Sequence, residues 1–127
     1  MNEIELLDLA RSIDPNTEIV LPSEENPKVN CDLYGDGCEY GLTIRFKNLI
    51  IIVVKFVSIQ AAQQAAFEFD AYTRANWVFD YVKGEPLLEN IFIKDFKAIK
   101  IERPNYIRMP YESLKDKKKK ETTDKKS

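Results

Sequence analysis

Histidine is absent from this 127-residue chain. That one absence removes the commonest general base, the commonest metal ligand and the side chain that changes charge near neutral pH. Cysteine is scarce: only Cys31 and Cys38 occur. Two thiolates without histidine leave a tetrahedral zinc site short of ligands. The chain has no G-x-S-x-G, no Gly-rich phosphate loop, no H-E-x-x-H and no Cys–His pair to activate a thiol. Its most apolar run, "LIIIVV" at 49–54, is far shorter than the roughly 20 residues a membrane-spanning helix needs. The opening "MNEIELLDLARSID" carries acids where a signal peptide has a basic region, and no apolar core follows. These absences predict a cytoplasmic protein with no metal, no cofactor and no membrane span, and they lean against an enzyme.

What is present is ordinary globular material. Hydrophobic residues make up 44% and charged residues 31%, enough for one domain with a real core. The charge is unevenly placed. Residues 1–110 hold 12 Lys+Arg against 17 Asp+Glu, a net of −5, while 111–127 hold 7 against 4, a net of +3. The sequence therefore divides into a single domain over 1–110 and a Lys-rich tail over 111–127. The tail has no aliphatic beyond Leu114, so burial cannot offset the entropy of ordering it, and it is expected to be disordered. An acidic body argues against nucleic-acid binding by the folded part, since phosphate attraction needs a basic face. The "KDKKKK" run, without a lipidation motif or flanking aromatics, reads as a solubilising segment.

Periodicity supplies the elements. Leu6, Leu9, Ala10 and Ile13 recur at helical spacing, and Asp14-Pro15 stops that helix. "TEIVL", 17–21, reads as a strand and "PSEENP", 22–27, as a polar loop. "KVNCDLY" and "CEYGLTIRF" flank "GDG", and Asp-Gly between extended segments is a strong hairpin signal. Lys47-Asn48 can make a second tight turn, and "LIIIVVKF", 49–56, apolar on both faces, suits a central strand. Ser58 caps a long helix expected from Ile59 to about Phe79. On it Ala62, Ala65, Ala66, Phe69, Tyr72, Thr73 and Asn76 share one arc, with Gln60, Gln63, Gln64, Phe67 and Arg74 opposite. Gly84 and Pro86 mark a break before a further helix with the stripe Leu88, Ile91, Phe92 and Phe96, and "AIKIERP", 98–104, reads as a final edge strand. The fold class is α+β: an antiparallel sheet of about four to five strands, the long helix on one face, and shorter N-terminal and C-terminal helices.

The stretch "VNCDLYGDGCEYG", 29–41, concentrates unusual residues. A calcium loop starting at Asp32 fails, because its third and twelfth positions are Tyr34 and Thr43. In an oxidising compartment Cys31 and Cys38 could close the loop as a disulfide, but a turn centred on Asp36-Gly37 places Cys31 opposite Leu42. The reading taken is a hairpin turn with free thiols.

For function, "NWVFDY" at 76–81 is the leading recognition motif, since Trp, Tyr and Phe are favoured where binding energy concentrates. Phe67 breaks the buried arc of its helix and should be exposed. Together Phe67, Arg74, Trp77, Asp80, Tyr81 and Glu85 form the candidate partner-binding set. The expected function is a non-enzymatic, protein-binding module of inhibitor, immunity, antagonist or adaptor type, whose partner has a basic surface. A rival is a small-ligand or carbohydrate-handling protein using a carboxylate–aromatic pocket at the helix junction, with Trp77, Asp80, Glu85 and Glu89 near it. A third reading is a structural homo-oligomer that pairs edge strands.

Overall fold

The first helix, α1 (Glu3–Ile13), starts at a reciprocal cap: the Asn2 side chain accepts from the Glu5 N–H and the Glu5 carboxylate accepts from the Asn2 N–H, both at 2.8 Å. A computed structural model describes the molecule over residues 1–101. Leu6, Leu7 and Ala10 are the buried stripe of α1, and Asp14 closes it in an extended conformation before Pro15. Beyond it come β1 (Glu18–Ile19), the short helix α2 (Cys31–Tyr34), β2 (Cys38–Phe46), β3 (Leu49–Phe56) and α3 (Ile59–Phe69). The chain continues through β4 (Tyr72–Arg74), β5 (Trp77–Asp80), α4 (Pro86–Lys94) and β6 (Ile99–Lys100).

All strand pairs are antiparallel, in the order β1-β2-β3-β5-β4-β6. The β2–β3 hairpin turns on Lys47 and Asn48, whose φ of 54° and 62° are what a two-residue type I′ turn requires. β3 lies between β2 and β5, the central position its doubly apolar run predicts. Alternation sends its side chains to two cores. On one face Ile51 and Val53 join Ile44, Phe46, Trp77 and Phe79 under α1 and α4. On the other, Val54 and Phe56 join Val78 under the alanines of α3, Ala62, Ala65 and Ala66, with Tyr34 of α2. The fold is thus α+β as expected, with six strands and helices on both faces.

Three expectations are corrected. The helix from Ile59 ends at Phe69, not near Phe79. Asp70 takes the left-handed conformation at φ 54°, and the N–H groups of Asp70 and Ala71 turn back to the carbonyls of Phe67 and Ala66. Tyr72, Thr73 and Asn76, placed on the helical arc, instead belong to the β4–β5 hairpin, whose aromatic and β-branched residues favour a pleated strand over a helix. Residues 29–37 are not a hairpin arm either. Asn30 caps α2 by accepting from the Asp32 N–H at 3.0 Å, and Gly35 and Gly37 carry the chain back at φ 94° and 88°. That helical turn brings the Cα of Cys31 to 5.5 Å from that of Cys38, and the two form a disulfide rather than free thiols. The Lys-rich tail and the end of the expected last strand lie outside the described residues.

Candidate functional site

α3 is only 11 residues long, about 16 Å, and covers the part of its sheet face built on Val54, Phe56 and Val78. The rest of that face lies under the loop after β1 and under α2. Val29 seats this loop directly on Gly41 of β2. A Cβ at Gly41 would lie 2.5 Å from Val29 Cγ1, so only glycine permits so close an approach. Between the loop, α2 and the strands a cleft of about 640 Å³ remains. Its floor is Thr43 of β2 with Ile52 of β3, and the exposed Ile50 of β3 stands at its edge. Val29, Leu33, Tyr34 and Tyr81 line its sides. Glu25, Asn26 and Lys28 give it a polar rim.

The walls are held by specific contacts. The disulfide ties α2 to the start of β2. The Tyr34 hydroxyl donates to Asp80 Oδ2 at 2.7 Å, and its ring lies 4.8 Å from that of Phe69 at the end of α3. Burial, then the bond to the Asp80 carboxylate, push the Tyr34 phenol well above the ordinary tyrosine range, so it stays neutral and a donor. Asp80 Oδ1 accepts from the Tyr81 N–H at 3.0 Å, holding Tyr81 at φ 71°, a left-handed conformation uncommon for a tyrosine. Tyr81 and Leu33 nevertheless stay largely in solvent, at 64% and 67% exposure.

Of the residues singled out from sequence, Asp80 and Tyr81 come together here. Phe67 is exposed as expected, at 37%, but lies on α3 and is not part of the cleft lining. Arg74, at the end of β4, donates to the Phe96 carbonyl at 3.0 Å. Trp77 is a correction: it is 0% exposed in the core beneath α1 and α4, donates from Nε1 to the Met1 carbonyl at 2.7 Å, and can line no solvent-facing pocket. Glu85 precedes α4 without a side-chain capping bond, and Glu89 accepts from the Tyr72 hydroxyl and the Gly84 N–H. The carboxylates near the helix junction therefore do not converge with Trp77 on a pocket. Sequence reasoning missed Leu33, Tyr34, Thr43, Ile50 and Ile52. One signal was present: a strand apolar on both faces, followed by a helix whose apolar face is mostly alanine, leaves part of one face for something else to cover.

Among the described residues there is no group of three His, Cys, Asp or Glu side chains that could hold a metal, and no helix long and apolar enough to cross a membrane. The fold and cleft define a class, a helix-flanked antiparallel α+β domain with one partly covered sheet face. Comparison with models of protein families, with curated proteins and with solved structures finds no match to this chain.

Proposed function

We propose that this chain is a non-catalytic protein-binding module whose contact surface is the rim of the cleft. The observation that supports it is a run of exposed apolar side chains on rigid supports: Leu33 on the disulfide-tied α2, Tyr81 fixed by Asp80, Ile50 on β3 and Phe69 packed beside Tyr34. Leu33, Ile50 and Tyr81 line one cleft, and such apolar clusters rimmed by polar groups mark interaction sites. Residues 1–101 carry 10 Lys+Arg against 16 Asp+Glu, a net of −6, which favours a partner of basic surface. The homo-oligomer reading has less support, since β1 and β6 at the sheet edges are two residues each among the described residues, too short to template a strand. As to location, the Cys31–Cys38 bridge counts against the cytosol, where thiols are kept reduced.

The test is affinity capture from the source cells with the wild-type chain and two variants as bait. Leu33→Asp places a charge on the wall. Tyr81→Gly removes the ring and suits the left-handed backbone. Both should keep the wild-type circular dichroism and melting, while the protein recovered by wild type is lost or strongly reduced. Equal recovery by all three baits sinks this surface as the site.

A further inference from the structure

Three threonines are buried: Thr17, Thr43 and Thr73. Thr17 donates its hydroxyl to the Asp14 carbonyl at 2.7 Å, and Thr73 donates to the Trp77 carbonyl at 2.6 Å. Thr43 is only 7% exposed, yet its hydroxyl has no hydrogen-bond partner among the described residues. So little exposed a hydroxyl without a protein partner calls for an explanation. Its position supplies one. Thr43 pairs with Ile52 on the face opposite Ile44, which puts its side chain on the floor of the cleft, between Ile50, Ile52 and Val29.

The chemistry around it is specific. The floor and walls are apolar or aromatic. The Tyr34 hydroxyl is already committed to Asp80. The rim brings one charge of each sign, Glu25 and Lys28, so no net field selects an ion. The volume of about 640 Å³ lies within the range of small-molecule sites, which combine an apolar lining with a few placed polar groups. We infer that the cleft floor is a binding site for a neutral, largely apolar small molecule carrying one hydrogen-bonding group, and that the Thr43 hydroxyl is its polar anchor. This goes beyond protein binding at the rim: it assigns the floor to a different occupant, and it stands or falls on Thr43 rather than on Leu33.

The experiment compares three probes of similar size, phenol and indole, which each carry one polar group, and toluene, which carries none. Binding is followed by the amide and methyl resonances of Thr43, Ile50 and Ile52, in wild type and in Thr43→Val, which keeps the shape and removes the hydroxyl. Phenol and indole are expected to shift those resonances and to bind about threefold to tenfold more tightly than toluene. In Thr43→Val that preference should vanish while toluene binds as before. Equal binding of phenol and toluene by wild type overturns the assignment, and so does a Thr43→Val protein that keeps the preference for phenol. If none of the probes binds while a captured partner protein covers Thr43 and Ile52, the cleft belongs wholly to that protein and the inference fails, leaving the protein-binding reading intact. Loss of capture by Leu33→Asp with normal probe binding supports both.

Discussion

At the scale of single residues, exposure separates two aromatics that look alike in sequence. Phe67 and Trp77 both follow a run that reads as helix, and both are natural anchors for a partner. Trp77 is wholly buried and hydrogen-bonded, while Phe67 projects from α3 into solvent over more than a third of its surface. Trp77→Ala should cost about 3–5 kcal/mol, the usual price of emptying a large aromatic site. Phe67→Ala should cost under about 0.5 kcal/mol, as surface substitutions away from special features do. Urea denaturation of both variants checks the contrast, and a large loss for Phe67→Ala would place that ring in the core. The sequence showed that Phe67 was off the buried arc, because helical phase is readable from the residues that precede it. It could not show that Trp77 was buried, because the arc was continued through a chain reversal that no glycine or proline marks.

At the scale of elements, that reversal explains most of what was and was not legible. The end of α1 and the start of α4 were readable because proline restricts its own φ and the conformation of its neighbour. The Lys47-Asn48 turn was readable because it sits between strongly alternating strands. The end of α3 was not, since Asp70 fills a left-handed position that usually advertises itself with glycine; ion pairs to Lys83 and Lys100 meet it there. The disulfide was missed for a related reason: the turn chemistry of Asp-Gly suggested a hairpin, and only the helical turn of α2 brings the sulfurs together. Replacing both cysteines by serine should cost about 2–3 kcal/mol from the loop they close, and native protein should yield no titratable thiol before reduction. Two reactive thiols in unreduced, folded protein would contradict the bridge. The contact of Val29 with Gly41 offers a second check. Gly41→Ala should destabilise by about 1–3 kcal/mol through overpacking, and Val29→Ala in the same chain should restore part of the loss, a coupling that a double-mutant cycle measures. If the two effects simply add, the loop is not seated as described.

At the scale of the whole molecule, each helical layer is tied to the sheet by a tyrosine that donates to a carboxylate. Tyr34 of α2 meets Asp80 of β5, Tyr40 of β2 meets Glu3 of α1, and Tyr72 of β4 meets Glu89 of α4. Burial and the neighbouring carboxylate raise all three phenols, Tyr40 to about 12 and Tyr34 higher still. The folded-state values lie above the unfolded value of roughly 10, so the folded chain holds protons that the unfolded chain has released. The stabilisation from these pairs is therefore complete below pH ~10 and is lost as pH rises through the folded values. Melting temperature should hold steady up to about pH 10 and fall steeply above it. Tyr40→Phe should blunt the alkaline decline. An unchanged decline in that variant would show that the pair between α1 and β2 contributes nothing to it.

Trp77 is the only tryptophan in the chain, and it lies at the packing interface between the sheet and α1 with its indole N–H on the Met1 carbonyl. Its fluorescence is consequently a built-in reporter. Emission from the native state should be blue-shifted and poorly quenched by iodide, and it should move to the red when the first helix lifts from the sheet. Because that ring lies on the sheet face opposite the cleft, a ligand or partner seated in the cleft should leave the spectrum almost unchanged. Folding and binding can thus be followed in one sample by separate signals, without attaching a dye.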